Sequence, residues 1–297
     1  MHEYIDAFLI SLEAPGAYSE STRLAYANDL KVFSGYLQKK LARDPQLEDF
    51  NAAQVADFLE LERAAGRRQS TLRRRRATLR RFVTYLRKQG LVESDLLAPE
   101  TDRIHRLITS VSPPDGPQCL SANQVNQIKS MIASSSRPRA RRDQAILSLL
   151  LETGLTVGTL VELDLADLNL REKRIHLTSE NGDEAWLPLN TATDTLKNYI
   201  EDGRPDMNPQ PEDPALFVSQ MGRRMSRQGI WQILRHWGKR VDPPVDLSPR
   251  LVRHTAAMNM SRNGRSLSEI QALLGHSNPL STQALLRRLE DSCGEGA

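Results

Sequence analysis

The sequence predicts a mainly α-helical protein with one small antiparallel β-sheet, divided into two domains. Three observations predict it. Apolar residues recur at helical spacing through the first hundred residues, in runs closed by Gly66 and Gly90. The segment 110–119, SVSPPDGPQC, is rich in proline and turn formers and breaks the periodicity. Beyond it, two short β-type runs flank an Asn181-Gly182 pair. A length of 297 residues suits two domains of ordinary size.

The elements follow in order. Tyr4, Ile5, Phe8, Leu9 and Leu12 form a first stripe. Tyr26, Leu30, Phe33 and Leu37 form a second, in a helix opened by 19–22. Asn51 is placed to cap a third helix over 52–65, and Ser70 a fourth over 71–89, because a short polar side chain can accept from the orphan N–H groups of a first turn. These make a four-helix N-terminal domain over 1–109, followed by a linker over 110–119 and a second domain over 120–297. In the second domain Ser121 caps a helix over 122–133, and 134–142 (SSSRPRARR) is a polar, basic connection. A buried helix over 143–152 ends at Gly154. RIHLT (174–178) and EAWLPL (184–189) form the hairpin. Helices follow over 192–202, 227–241, 250–263 and 268–274, the last stopped by Gly275.

Composition excludes several classes. The most apolar run, 145–151, is far too short to span a bilayer. The start, MHEYIDAFLI, lacks the basic head of a signal peptide, and the expected location is cytoplasmic. Cys119 and Cys293, the only cysteines, have no metal-type or C-x-x-C spacing and are expected as free thiols in a reducing compartment. The histidines also lack metal spacing, so neither a metal nor a cofactor is expected.

Net charge is only +3, yet 67–88 carries ten cations and no acid. A local field of one sign matters more to a polyanion than the whole-chain total. Arg73, Arg74, Arg76, Arg80 and Arg81 fall largely outside the stripe of Leu72, Leu79, Phe82, Val83 and Leu86, and no acidic i,i+4 partner neutralises them. This face fits double-stranded DNA; the plainer alternative is a solvated arginine face. Arg223, Arg224 and Arg227 flank a later helix start, where phosphates are also welcome. Trp231 and Trp237 are expected in the core.

The segments LSPRLVRHTAAMNM (247–260) and LLGHSNPLSTQALL (273–286) carry a resemblance. With Thr153-Gly154-Leu155 and the hairpin, they make the chain resemble the tyrosine recombinases, or phage integrases, over nearly its whole length. The resemblance implies a SAM-like core-binding domain and a catalytic-type domain. It also implies a metal-free site in which two arginines, a lysine and two histidine-class residues hold and protonate a DNA phosphate that a tyrosine attacks. Here the first arginine's position holds Thr156 and the lysine's falls near Glu180, with no Lys or Arg between Arg174 and Lys197. The first histidine's position holds Arg250. Arg253 and His276 keep their family identities, and the tyrosine's position holds Leu285; no tyrosine follows Tyr199.

The resemblance therefore implies a degenerate recombinase. Arg250 and Arg253, three apart on one helix, are expected to contact phosphate, and His276 to steady a helix end. His254 is expected to be structural. Such a protein would bind duplex DNA without cutting it, as an accessory, architectural or regulatory factor of a mobile element. Its protein partner would be an active recombinase of the same family, or a second copy engaged through 281–288 with Leu285 as an apolar anchor. Two alternatives stay open. One is an active recombinase with another nucleophile, from Ser281, Thr282, Ser292 and Cys293. The other is a protein-interaction module that has lost DNA binding.

Overall fold

In a computed structural model, the chain is described over residues 1–13, 18, 20–93, 95–109, 118–137, 139–178, 184–276 and 278–293. It divides into two compact units, Met1–Pro114 and Asp115–Ala297. The segment expected as the linker lies outside the described residues except for 118 and 119, and so does the Asn181-Gly182 turn.

The first unit comprises α1 (His2–Ser11), α2 (Glu20–Leu41), α3 (Ala52–Ala64), α4 (Gln69–Lys88) and α5 (Thr101–Thr109). Its core is the set of stripes read from the sequence. Leu30, Phe33 and Leu37 of α2 meet Phe58 and Leu59 of α3 and Phe82 and Leu86 of α4, all buried. The Phe33 and Phe58 rings stand edge to face at 5.2 Å, and Phe50 and Phe82 at 5.4 Å. The Asn51 side chain accepts from Gln54 N, as its position before α3 predicts. Two expectations change. Ser70 does not cap α4, which begins two residues earlier than expected, at Gln69, after Arg68 and with no side-chain cap. The unit also has a fifth helix, α5, which packs on α3 and α4 with Ile104, Leu107 and Ile108 buried in the shared core.

The second unit opens with α6 (Ala122–Ala133), where Ser121 and Gln124 form a reciprocal capping box. α7 (Ala140–Thr153) begins within the segment expected as a basic connection and ends at Gly154 in the left-handed conformation. Arg142 lies within this added first turn of α7. Its guanidinium is buried and bonds Asp143 Oδ1 at 2.8 Å and Val218 O at 3.2 Å, and Trp237 Nε1 donates to Asp143 Oδ2 at 2.9 Å.

α8 (Val157–Glu162) leads to a three-stranded antiparallel sheet of β1 (Leu168–Asn169), β2 (Arg174–Thr178) and β3 (Glu184–Pro188), in that order. Ile175 pairs with Leu187 and His176 with Trp186; β1 is an addition to the expected hairpin. α9 (Ala192–Asn198) runs into a π-helical turn, Tyr199–Gly203. The chain then reverses at Gly222, where φ is +67° and a Cβ would stand 2.0 Å from Asn208 O, so only glycine fits. That turn delivers α10 (Arg227–Gly238), which is followed by α11 (Pro249–Arg262), α12 (Leu267–Leu274) and α13 (Pro279–Cys293). Trp237 lies in the core as expected, whereas Trp231 is exposed with the Arg235 guanidinium 5.3 Å from its ring.

α13 packs back on α11 and α12 through Leu286 and, in part, Leu285, against Ala256, Ala257, Met260 and Ile270. This return brings Cys293 to Cys119, with Cα atoms 6.2 Å apart, and the two form a disulfide. The expected free thiols are thus corrected: 174 residues separate the pair, and only the return of α13 brings them together. Among the described residues, no helix is long and apolar enough to cross a membrane.

Candidate nucleic-acid interface

The cations of α4 divide into two groups. Arg74 is committed inside the first unit: its Nη1 lies 2.7 Å from Asp29 Oδ2 and donates to Ala25 O at 3.1 Å. Arg75 is buried, ion-paired with Glu62 and 3.6 Å from Asp29, with its guanidinium 5.4 Å from the Phe58 ring. Thr78 Oγ1 also donates to Asp29 at 3.0 Å. Burial lifts the Asp29 carboxyl above its ordinary value, against the pull of Thr78 and both arginines. The acids that neutralise this helix therefore come from α2 and α3, not from its own i,i+4 positions.

Arg73 Nε donates to Ile108 O at 3.3 Å, and Arg81 meets the Tyr18 hydroxyl and ring. The guanidinium groups of Arg76 and Arg80 have no hydrogen-bond or ion-pair partner among the described residues; Arg80 is exposed and Arg76 half-buried. Of the five arginines singled out in the sequence, these two are the least engaged within the protein.

In the second unit, Arg250, Arg253, His276 and Leu285 line one cavity of about 350 Å³, together with His254, Leu274 and Ser281. Ser248 caps α11 and Pro249 starts it, which places Arg250 in the first turn and Arg253 one turn on. Arg250 is exposed, and its Nε donates to His254 Nε2 at 3.4 Å. His254 Nδ1 meets Gln118 O at 3.2 Å, so a neutral ring with its proton on Nδ1 satisfies both bonds. Arg253 is half-buried. Its Nη1 donates to Gly154 O at 2.8 Å and its Nη2 to Leu274 O. It therefore ties the turn after α7 and the end of α12 to α11, and burial holds its guanidinium below the usual arginine value. His276 Nδ1 bonds the buried Thr282 hydroxyl at 2.9 Å, which anchors the first turn of α13.

Thr156 does not line this cavity. It caps α8, accepting from Thr159 N at 3.0 Å. Glu180 lies outside the described residues. Arg224, expected near a phosphate, instead binds Asp164 and the carbonyls of Val161 (2.8 Å) and Leu163 (3.3 Å). The sequence reading did not anticipate the Arg142–Asp143–Trp237 group, since no local spacing encodes a contact across 94 residues.

Three histidines of this unit are pulled below their ordinary value near 6.5: His254 by burial and then Arg250, His276 by burial and then Arg253, and His236 by burial and then Arg240. A depressed histidine contributes stability that is present above the unfolded value and lost as pH falls through the folded one, because the unfolded chain then binds more protons. The second unit is thus expected to weaken between about pH 7 and pH 5. All three tryptophans lie in this unit, so urea midpoints read by tryptophan fluorescence at both ends of that range check it. An unchanged or higher midpoint at the acid end would show that these rings are not held neutral.

A helical unit followed by a mainly helical unit with a small sheet, holding two arginines and two histidines about one cavity, is the build that the resemblance to the tyrosine recombinases implies. The sequence pattern of the phage integrase family spans residues 118–289, and that of the family's N-terminal SAM-like domain spans 5–90. The chain belongs to this family, the tyrosine recombinases. It is 30% identical over 290 residues to tyrosine recombinase XerC of Roseiflexus sp., covering 95% of this chain and 88% of that one. It is 31% identical over 287 residues to tyrosine recombinase XerD of Listeria innocua serovar 6a, covering 95% and 93%. Among solved structures, the Tn1549 transposon integrase in complex with transposon right end DNA matches with a TM-score of 0.74 at 15% identity, over 95% of this chain and 94% of that one. A lambda integrase dimer bound to a COC′ core site matches with a TM-score of 0.71 at 17% identity, over 96% and 95%. At these identities the structural likeness shows the fold.

Proposed function

We propose that this protein holds double-stranded DNA by its phosphates and does not cut it, and that it acts as an accessory, architectural or regulatory member of its family in recombination or integration. Leu285 carries the reading. It sits on the cavity lined by Arg250, Arg253 and His276, where the resemblance places the attacking tyrosine, and it packs against an apolar cluster. A leucine side chain has no atom that attacks phosphorus. Arg250 keeps an exposed guanidinium at that cavity, Arg80 keeps one on α4, and the half-buried Arg76 has no side-chain partner among the described residues. Relatives of the same fold solved with DNA support duplex DNA as the partner.

A same-family recombinase remains the protein partner proposed. Self-association through 281–288 would require α13 to leave Leu286's apolar cluster and the Cys119–Cys293 bond to open.

One observation favours a second reading. Of the four alternative nucleophiles, Ser281 lines the cavity. Thr282 is buried on His276, Ser292 donates to Arg288 O and Cys293 is in a disulfide.

The dependence of duplex affinity on salt tests the grip. Each phosphate neutralised contributes about −0.9 to the slope of log affinity against log salt. Replacing Arg76 and Arg80 together by alanine is expected to flatten the slope by about two phosphates with no loss of thermal stability. A parent protein with no salt dependence would return these cations to the solvated or protein-binding alternatives.

A further inference from the structure

The bond between Cys119 and Cys293 lies outside the buried apolar clusters of its unit. Both cysteines are half-buried, and both line a cavity of about 390 Å³ with Gln118, Gln124 and Ser292. Gln118 and Ser292 are exposed, so the cavity opens to solvent beside the sulfurs. A small thiol can therefore reach this bond without unfolding the unit.

The two ends of the bond are held differently. On one side, Gln118 O bonds His254 Nδ1 at 3.2 Å, and Leu120 N donates to the Thr255 hydroxyl at 2.9 Å. These two bonds fix Cys119 on α11, the helix that carries Arg250 and Arg253. On the other side, Leu289 is the last buried residue of α13. Beyond it, among the described residues, the last turn has two hydrogen bonds that involve a side chain. Ser292 Oγ donates to Arg288 O within the helix, and Arg262 Nη2 donates to Cys293 O at 3.4 Å. The disulfide is the strongest tie on this end of α13. The same helix carries Ser281 and Leu285 to the cavity that holds Arg250 and His276.

We infer that Cys119–Cys293 is a redox-modification site: small thiols of the glutathione class open it, and its state sets whether the end of α13 is latched to α11. A thiolate attacks one sulfur, the S–S bond breaks, and the other cysteine leaves as a thiolate. A second thiol attacks the mixed disulfide and releases the first cysteine. Two small thiols are thereby oxidised to one disulfide while Cys119 and Cys293 are reduced. Disulfides that solvent can reach belong to the labile, regulatory class, whereas those that hold a core together resist reduction. Closing the bond removes freedom from the end of α13, and opening it returns that freedom.

Maleimide labelling read by mass, together with deuterium exchange over 286–293, tests the site on the full chain in oxidised and then in reduced glutathione. No thiol should label in the first buffer and both should label in the second. Opening should speed exchange over 286–293 by about 30-fold, the lower end of what a loop-closing disulfide typically contributes, and leave α7 as it was. Cys119→Ser, which keeps the sequence of α13, should exchange at the fast rate in both buffers; the reduced parent carries the comparison alone if that variant does not fold. Free thiols in oxidised glutathione, or a bond that reduced glutathione leaves closed, overturns the site. Exchange over 286–293 that is the same open and closed overturns the latch. None of these readings uses DNA, so their failure is distinct from failure of the grip.

Discussion

Leu285→Tyr alone is expected to give no more than a trace of covalent link to DNA, and adding Glu180→Lys and Arg250→His to it should raise the linked product by ~10²–10⁴-fold. A tyrosine restores the attacking oxygen. It does not restore the groups that hand a proton to the departing oxygen. The resemblance places those groups at the hairpin position near Glu180, where no Lys or Arg occurs between Arg174 and Lys197, and at Arg250, where a guanidinium stands in place of an imidazole. The retained residues do not compensate. His276 is bonded to Thr282, and two donors of Arg253 lie on backbone carbonyls. The measurement is the fraction of a nicked duplex that becomes protein-linked with time. Efficient linkage by the single variant would show that the proton-handling positions were never lost.

Asp29→Ala is expected to destabilise the first unit by about 3–5 kcal/mol, the usual cost of stripping one partner from a buried ion network. The Asp29 side chain is 1% exposed and holds Arg74 at 2.7 Å, Thr78 at 3.0 Å and Arg75 at 3.6 Å. Without it, Arg75 keeps Glu62 alone within a core of Phe58 and Leu72. Because the first unit holds no tryptophan, circular dichroism should show the early loss of helix while tryptophan fluorescence of the second unit melts as before. Coincident, unshifted transitions would mean that the network is stabilised no better than a solvated pair. The same network explains why Arg74 is a poor residue to remove in testing DNA contact: its loss would report on folding.

Features that depend on one helix face or one turn were legible in the sequence. Leu30, Phe33 and Leu37 announce a buried stripe by spacing alone. Asn51 and Ser121 announce caps, and Gly154 and Gly275 announce stops, because each acts on backbone within a few residues. The β2–β3 pairing follows the same logic.

What was hidden is set by tertiary contact. α5 is nine residues long, and its three buried side chains are isolated among polar ones until the other helices surround them. Arg142 looks like part of a solvated basic stretch until Asp143, Val218 and the Trp237–Asp143 bond are brought to it. A search for acids along α4 cannot find Asp29, which lies 45 residues before Arg74. The candidate cavity was legible through resemblance: Arg250, Arg253, His276 and Leu285 meet, although Thr156 stands apart as a helix cap.

The central claim is a grip without cleavage, and a nicked duplex that traps any covalent intermediate tests it most directly when bound and linked DNA are read from the same tubes. Salt-sensitive retention of the duplex, with no linked product at any time, is the expected result. A DNA end found esterified to a side chain of this protein, with Ser281 the first residue to inspect by mass spectrometry, would contradict it.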